Sequence, residues 1–127
     1  MSESGGPPQA VIQSAAERVL TEAWGGPVRL GEGERQNGTM ARSRVLRCAV
    51  LEAPGDAPAS VIVKCAQGDG DARYDAAEVR PGTPAWRLFS EWAGTQFLNS
   101  LPADPPLCGR IYGGDPAAGL IVLEDLG

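Results

Sequence analysis

The chain is 127 residues long with a formal net charge of −5 and a sequence pI near 4.6, which suits one domain with a single core. Nucleic-acid backbones are held by a surplus of Lys and Arg, so this acidic balance, with no basic run, excludes a nucleic-acid partner. The sequence holds no histidine, which removes Ser-His-Asp and Cys-His catalysis, imidazole general bases and His-liganded zinc together.

Residues 1–8, with Gly5, Gly6, Pro7 and Pro8, read as a flexible N-terminus and lack the apolar core of a secretory signal. From Gln9 to Trp24 the residues Val11, Ile12, Ala15, Ala16, Val19, Leu20 and Ala23 recur at helical spacing. They predict an amphipathic helix that Gly25-Gly26-Pro27 terminates. Val28 to about Glu34 alternates as a strand, Asn37-Gly38 is a strong hairpin signal, and Ser43 to Leu51 is the returning strand. A turn from Ala53 to Pro58 leads into a further strand, Ala59 to Cys65, so 28–66 is predicted to be an antiparallel meander.

Gln67 to Gly82 is a polar loop containing Asp69, Asp71, Asp75 and Glu78. Asp69-Gly70-Asp71 suggests a calcium loop, but the remaining ligand positions are missing. The expectation is a solvated loop and no metal site. Thr83 as N-cap and Pro84 at the first helical position open a helix reaching about Leu101. Trp86, Phe89, Trp92, Ala93 and Phe97 form its expected apolar face, and Pro102 to Pro106 end it. Leu107 to Tyr112 and Gly119 to Leu123 are two last strands, joined by a turn at Gly113 to Pro116. The order predicts an α+β fold, a five-stranded antiparallel sheet with helices against it. No apolar stretch is long enough for a bilayer, so no membrane association is expected. Cys48, Cys65 and Cys108, odd in number and in apolar settings, are expected to be free thiols of a cytoplasmic protein.

Four features bear on chemistry. Lys64 closes the β-branched run Val61-Ile62-Val63; it either reaches water from a strand end or is matched by a counter-charge beside a cleft. Glu91, on the later helix, either pairs loosely with Arg87 one turn back or reaches across to Lys64. The hairpin Gly31 to Gly38 offers backbone amides suited to phosphate. Its spacing departs from GxGxxG, however, and Glu32 and Glu34 repel anions. Finally, Gly119 to Gly127 is an apolar strand that leads into two carboxylates, Glu124 and Asp125.

In this order, the Asn37 hairpin, Val61-Ile62-Val63-Lys64, the helix with Glu91 and the ending Leu120-Ile-Val-Leu-Glu-Asp-Leu-Gly127 resemble the N-terminal lobe of the protein-kinase-like phosphotransferases that act on small molecules. That group includes aminoglycoside, choline, homoserine and fructosamine kinases. The resemblance spans roughly 28–127 and implies a kinase-like N-lobe over 9–127, cut at the hinge, with the helix at 83–101 in the place of the family's αC. It implies that Lys64 contacts the α- and β-phosphates of ATP, that Glu91 holds Lys64, and that Asn37 and Gly38 fold over the phosphates. It also makes 123–127 the hinge, with the Glu124 carbonyl accepting from the adenine amino group and the Leu126 amide donating to the ring. The family's catalytic Asp, its Mg2+ ligands and its acceptor site lie in a C-terminal lobe that these 127 residues do not contain. The chain by itself is therefore expected to be inactive, with no catalytic residue of its own and an apolar cleft face open to association. The other reading of the same residues is a non-catalytic nucleotide-binding or partner-binding α+β module.

Overall fold

The computed structural model describes residues 8–36, 43–66 and 74–127. Asn37, Gly38, Asp69 and Asp71 lie outside the described residues, as do residues 1–7. Among the described residues there are two helices and six strands: α1 (Gln9–Trp24), β1 (Arg29–Leu30), β2 (Glu34–Arg35), β3 (Arg44–Glu52), β4 (Ser60–Cys65), α2 (Pro84–Ser100), β5 (Ile111–Asp115) and β6 (Leu120–Glu124). The fold is α+β, with an antiparallel sheet in the order β1-β3-β4-β6-β5 and β2 also paired to β3.

The first predicted strand is broken in two. Both β1 and β2 pair with β3, and the register slips between Arg29 and Leu30. Gly33 lies between the two pieces, where a Cβ would come 3.1 Å from the Leu46 side chain. The sheet thus has six strands in place of the expected five, with β1 and β2 sharing one edge of β3.

Alternation on the strands sends their side chains to two different layers. Leu46 and Cys48 on β3, Val61, Val63 and Cys65 on β4, and Leu120 and Val122 on β6 all point to one face. There they are buried with Ile12, Ala15, Ala16 and Leu20 of α1. Burying each of these larger aliphatics contributes about 1.5–3 kcal/mol, so α1 is an integral core element. Its end is set by Gly25 at φ 78, whose N–H donates to the Thr21 carbonyl, a left-handed cap that glycine adopts without strain.

The alternate residue Ile121 faces the other way, buried with Leu88 of α2 and packed by Phe89, Trp92, Ile111 and Leu123. Helix α2 begins where the sequence predicts, with the Thr83 hydroxyl accepting from the Trp86 amide at 3.2 Å. Its packed face agrees with the predicted one at Phe89 and Trp92 only. Pro84, Ala85 and Leu88 are buried, whereas Trp86 is 40% and Phe97 62% exposed and Ala93 is exposed. The sheet selects this face because Ile121 and Gly114 offer a seat for Leu88 and Trp92.

Gly113, Gly114 and Asp115 belong to β5, and the turn expected at 113–116 follows them, closed by the Gly119 amide donating to the Asp115 carbonyl. Both glycines are required by packing from opposite sides. A Cβ on Gly113 would meet Val19 of α1 at 3.1 Å, and one on Gly114 would meet Trp92 of α2 at 2.8 Å. The strand predicted from Leu107 starts instead at Ile111, and Leu107 is 58% exposed. Among the described residues no helix is long and apolar enough to cross a membrane.

Candidate functional site

Lys64 lies on the strand face opposite α1. Its neighbours Val61, Val63 and Cys65 turn into the core at 0–1% exposure, so a one-residue offset sends the lysine to the other side. Across the ladders Lys64 is paired with Val45 of β3 and Ile121 of β6. Directly paired residues share a face, so Ile121, under α2, brings the helix beside the ammonium. The Lys64 Nζ lies 2.8 Å from Glu91 Oε1, with the two side chains 31% and 36% exposed. Of the two sequence alternatives for each residue, the structure realises the pairing across the layers. Leu88 sits one helical turn before Glu91, and its burial over Ile121 aims the carboxylate at β4.

An ion pair this exposed contributes only ~0.2–1 kcal/mol. Its consequence is geometric: it ties α2 to the sheet and holds the ammonium at one place. Beside the pair is a small cavity of about 120 Å³ lined by Ser43, Cys65, Ala66, Pro84, Arg87 and Leu88 together with Lys64 and Glu91. At ~30 Å³ per liquid water it has room for a few waters or one small anion, and none for a nucleoside.

The residues flanking Lys64 on this face were not singled out from the sequence. Ile62 pairs with Arg47 on one side and Leu123 on the other, so Val45, Ile62 and Leu123 form an apolar strip next to the ammonium. All three are half-buried, in contrast to the sealed Val61 and Val63. The available signal was alternation: once Val61 and Val63 are inward, Ile62 must accompany Lys64. The cross-strand partners needed the register, which the sequence does not state.

Glu124 ends β6 opposite Val61. Its amide donates to the Arg110 carbonyl at 2.8 Å, and its carboxylate accepts from the Arg110 amide at 2.9 Å. Leu126 is 76% exposed. Asp125 between them is held firmly: Arg47 Nε lies 2.9 Å from Oδ2, and the Ser60 hydroxyl donates to the same oxygen. The Ser60 hydrogen bond, then the Gly127 amide and Arg47, keep the Asp125 carboxyl below its ordinary value. The structure therefore brings Lys64 and Glu91 together and sets Glu124 and Leu126 at the far end of the same strand pair. Asn37 and Gly38 are outside the described residues.

Cys48 and Cys65 are buried and Cys108 half-buried, all three as free thiols. Burial pushes the Cys48 thiol up to about 11 and the Cys65 thiol up to about 12, which leaves both protonated and poor nucleophiles. Among the described residues no cluster of three or more His, Cys, Asp or Glu could hold a metal ion. Comparison with protein-family models, curated proteins and solved structures finds no match to this chain.

Proposed function

We propose that this chain is the ATP-binding half of a phosphotransferase that phosphorylates a hydroxyl or amine of a small molecule. The observation that supports it best is the Lys64–Glu91 pair at 2.8 Å, which joins a strand to the helix packed beside it. Since β1 and β2 share one position against β3, Lys64 stands on the third row of the sheet. A lysine on the third strand paired with a helix glutamate is the device by which protein kinases hold the α- and β-phosphates. The half-buried strip of Val45, Ile62 and Leu123 supplies an apolar surface for a base on the same face. Glu124 pairs with Val61, three residues from Lys64, or about 10 Å along the strand, within the span of a nucleotide from base to phosphates.

On this reading Lys64 neutralises phosphate charge and Glu91 fixes its ammonium, while the Glu124 carbonyl and Leu126 amide address the base edge. Phosphoryl transfer rests on positioning and metal electrostatics. The catalytic Asp, the Mg2+ ligands and the acceptor site have to come from residues other than these. The cleft face left open to such a lobe includes Leu126, and Leu98, Leu101 and Leu107 are also exposed.

Binding of a non-hydrolysable ATP analogue, followed by calorimetry, tests the proposal. Lys64→Ala should weaken it about tenfold or more, equivalent to ~1.4 kcal/mol, and Glu91→Ala should weaken it less. Unchanged affinity in Lys64→Ala, or no binding by the wild type, refutes it.

A further inference from the structure

One carboxylate within the segment 123–127 is bound from three segments of the chain at once. Asp125 accepts a hydrogen bond from Arg47 Nη2 on Oδ1 at 3.3 Å, and Arg47 Nε lies 2.9 Å from Oδ2 as an ion-pair contact. It also accepts from the Ser60 hydroxyl on Oδ2 and from the Gly127 amide on Oδ1 at 3.0 Å. Its side chain is only 10% exposed, although it sits just past the last strand. We infer that Asp125 is the positioning residue of the base-binding edge, orienting the Glu124 carbonyl and the Leu126 amide against the face of β3 and β4. This rests on the ATP-binding reading above.

Three points lead there. The donors belong to the face where the base would lie: Arg47 is the cross-strand partner of Ile62, and Ser60 precedes Ile62 by two residues on the same side of β4. The bond from Gly127 back to Asp125 closes a turn around Leu126, so the direction of the Leu126 amide follows from where the carboxylate is anchored. Leu126 itself, at 76% exposure, is held little by packing. The ladder of β6 ends at Glu124, so beyond it the carboxylate is the principal tie of 125–127 to the sheet.

The Arg47–Asp125 pair adds little net stability, because the Arg47 side chain is 36% exposed and solvent screens the attraction. What the hydrogen bonds from Arg47 Nη2, the Ser60 hydroxyl and the Gly127 amide supply is direction. Asp125 touches neither base nor phosphate on this account; it acts through the main chain on either side.

The test compares ATP with inorganic tripolyphosphate, which carries the phosphates and lacks the base. Calorimetric affinities would be measured for the wild type, Asp125→Ala, Ser60→Ala and Lys64→Ala. Asp125→Ala should weaken ATP about tenfold and leave tripolyphosphate within about twofold. Ser60→Ala should show the same selectivity with a smaller loss, and it carries the test if Asp125→Ala does not fold. Lys64→Ala should weaken both probes. An equal loss on both probes in the Asp125 and Ser60 variants would assign these residues to general stability and overturn the inference. So would an unchanged ATP affinity, which leaves ATP binding itself intact. A wild-type chain that binds neither probe overturns the ATP-binding reading, and this inference with it.

Discussion

Gly114→Ala is the substitution whose effect the packing specifies most closely. An ideal Cβ at this position would lie 2.8 Å from the Leu120 carbonyl oxygen, 2.8 Å from Trp92 Cη2 and 2.9 Å from Ile121 Cγ2. The carbonyl cannot retreat without opening the β5–β6 ladder, and the Trp92 ring is wedged between α2 and the sheet. Overpacking of this kind costs about 1–3 kcal/mol. With unfolding entropy of ~2.1 cal/mol/K per residue, a chain of this size loses roughly 4 °C of Tm per kcal/mol. Melting followed by circular dichroism should therefore fall by about 4–11 °C. Gly94, on the exposed side of α2, has nothing within 4 Å of its Cβ position. There the same change should raise stability by about 0.5–1 kcal/mol, since alanine is the better helix former. Because Trp92 adjoins Glu91, the shift of α2 in Gly114→Ala would also draw the carboxylate away from Lys64. A Gly114→Ala protein that melts within 2 °C of wild type (about half a kcal/mol) would refute the account of β5 as a strand thinned to admit that ring.

Removing the Thr83 cap should be milder: Thr83→Ala leaves the Trp86 amide without its partner, at a cost of about 1 kcal/mol in denaturant titration, and no loss would contradict the cap. Of the three thiols, Cys108 alone should react with an aromatic disulfide reagent in the native protein, because Cys48 and Cys65 are buried; two or more reacting before unfolding would be the contrary result. Stability should also decline above pH 9.0, the ordinary thiol value, toward about 11 and 12. Below that window both states keep their protons; within it the unfolded chain releases protons first, so unfolding is favoured as pH rises. The double variant Cys48→Ala, Cys65→Ala should show a flatter alkaline limb, and an unchanged slope would exclude these thiols as its cause.

The parts of the fold that local chemistry dictates were legible in advance. Helix α1 follows from its apolar period and a Gly-Gly-Pro stop, and α2 from Thr-Pro at its start. The alternation of Val61-Ile62-Val63-Lys64 announced a strand, and left open whether its lysine would reach water or meet a counter-charge. What could not be read was decided by distant residues. Gly113-Gly114 has the local signature of a turn, and only Val19 and Trp92, arriving from two helices, make it a strand. The buried side of α2 likewise could not be ranked from its own sequence, because its aromatics are spread over several faces. The sheet, by presenting Ile121, chose Leu88 over Trp86. The strip of Val45, Ile62 and Leu123 exists only as a register between three strands, which no single segment encodes.

The polar side of α1 has a further consequence. Gln9 and Gln13 donate to the carbonyls of Gly33 and Leu30 at 3.1 and 2.9 Å, and Glu17 accepts from the Leu30 amide at 2.9 Å. Three side chains spaced four residues apart thus occupy backbone groups of β1 and the segment after it that an added strand would use. An open sheet edge is a template for pairing with other chains, and here a helix stands in for the missing neighbour. A second molecule cannot extend the sheet through β1 without first displacing α1, and displacing α1 would uncover the core it seals. Resistance to strand addition at this edge is in this way coupled to the packing of α1 on the core.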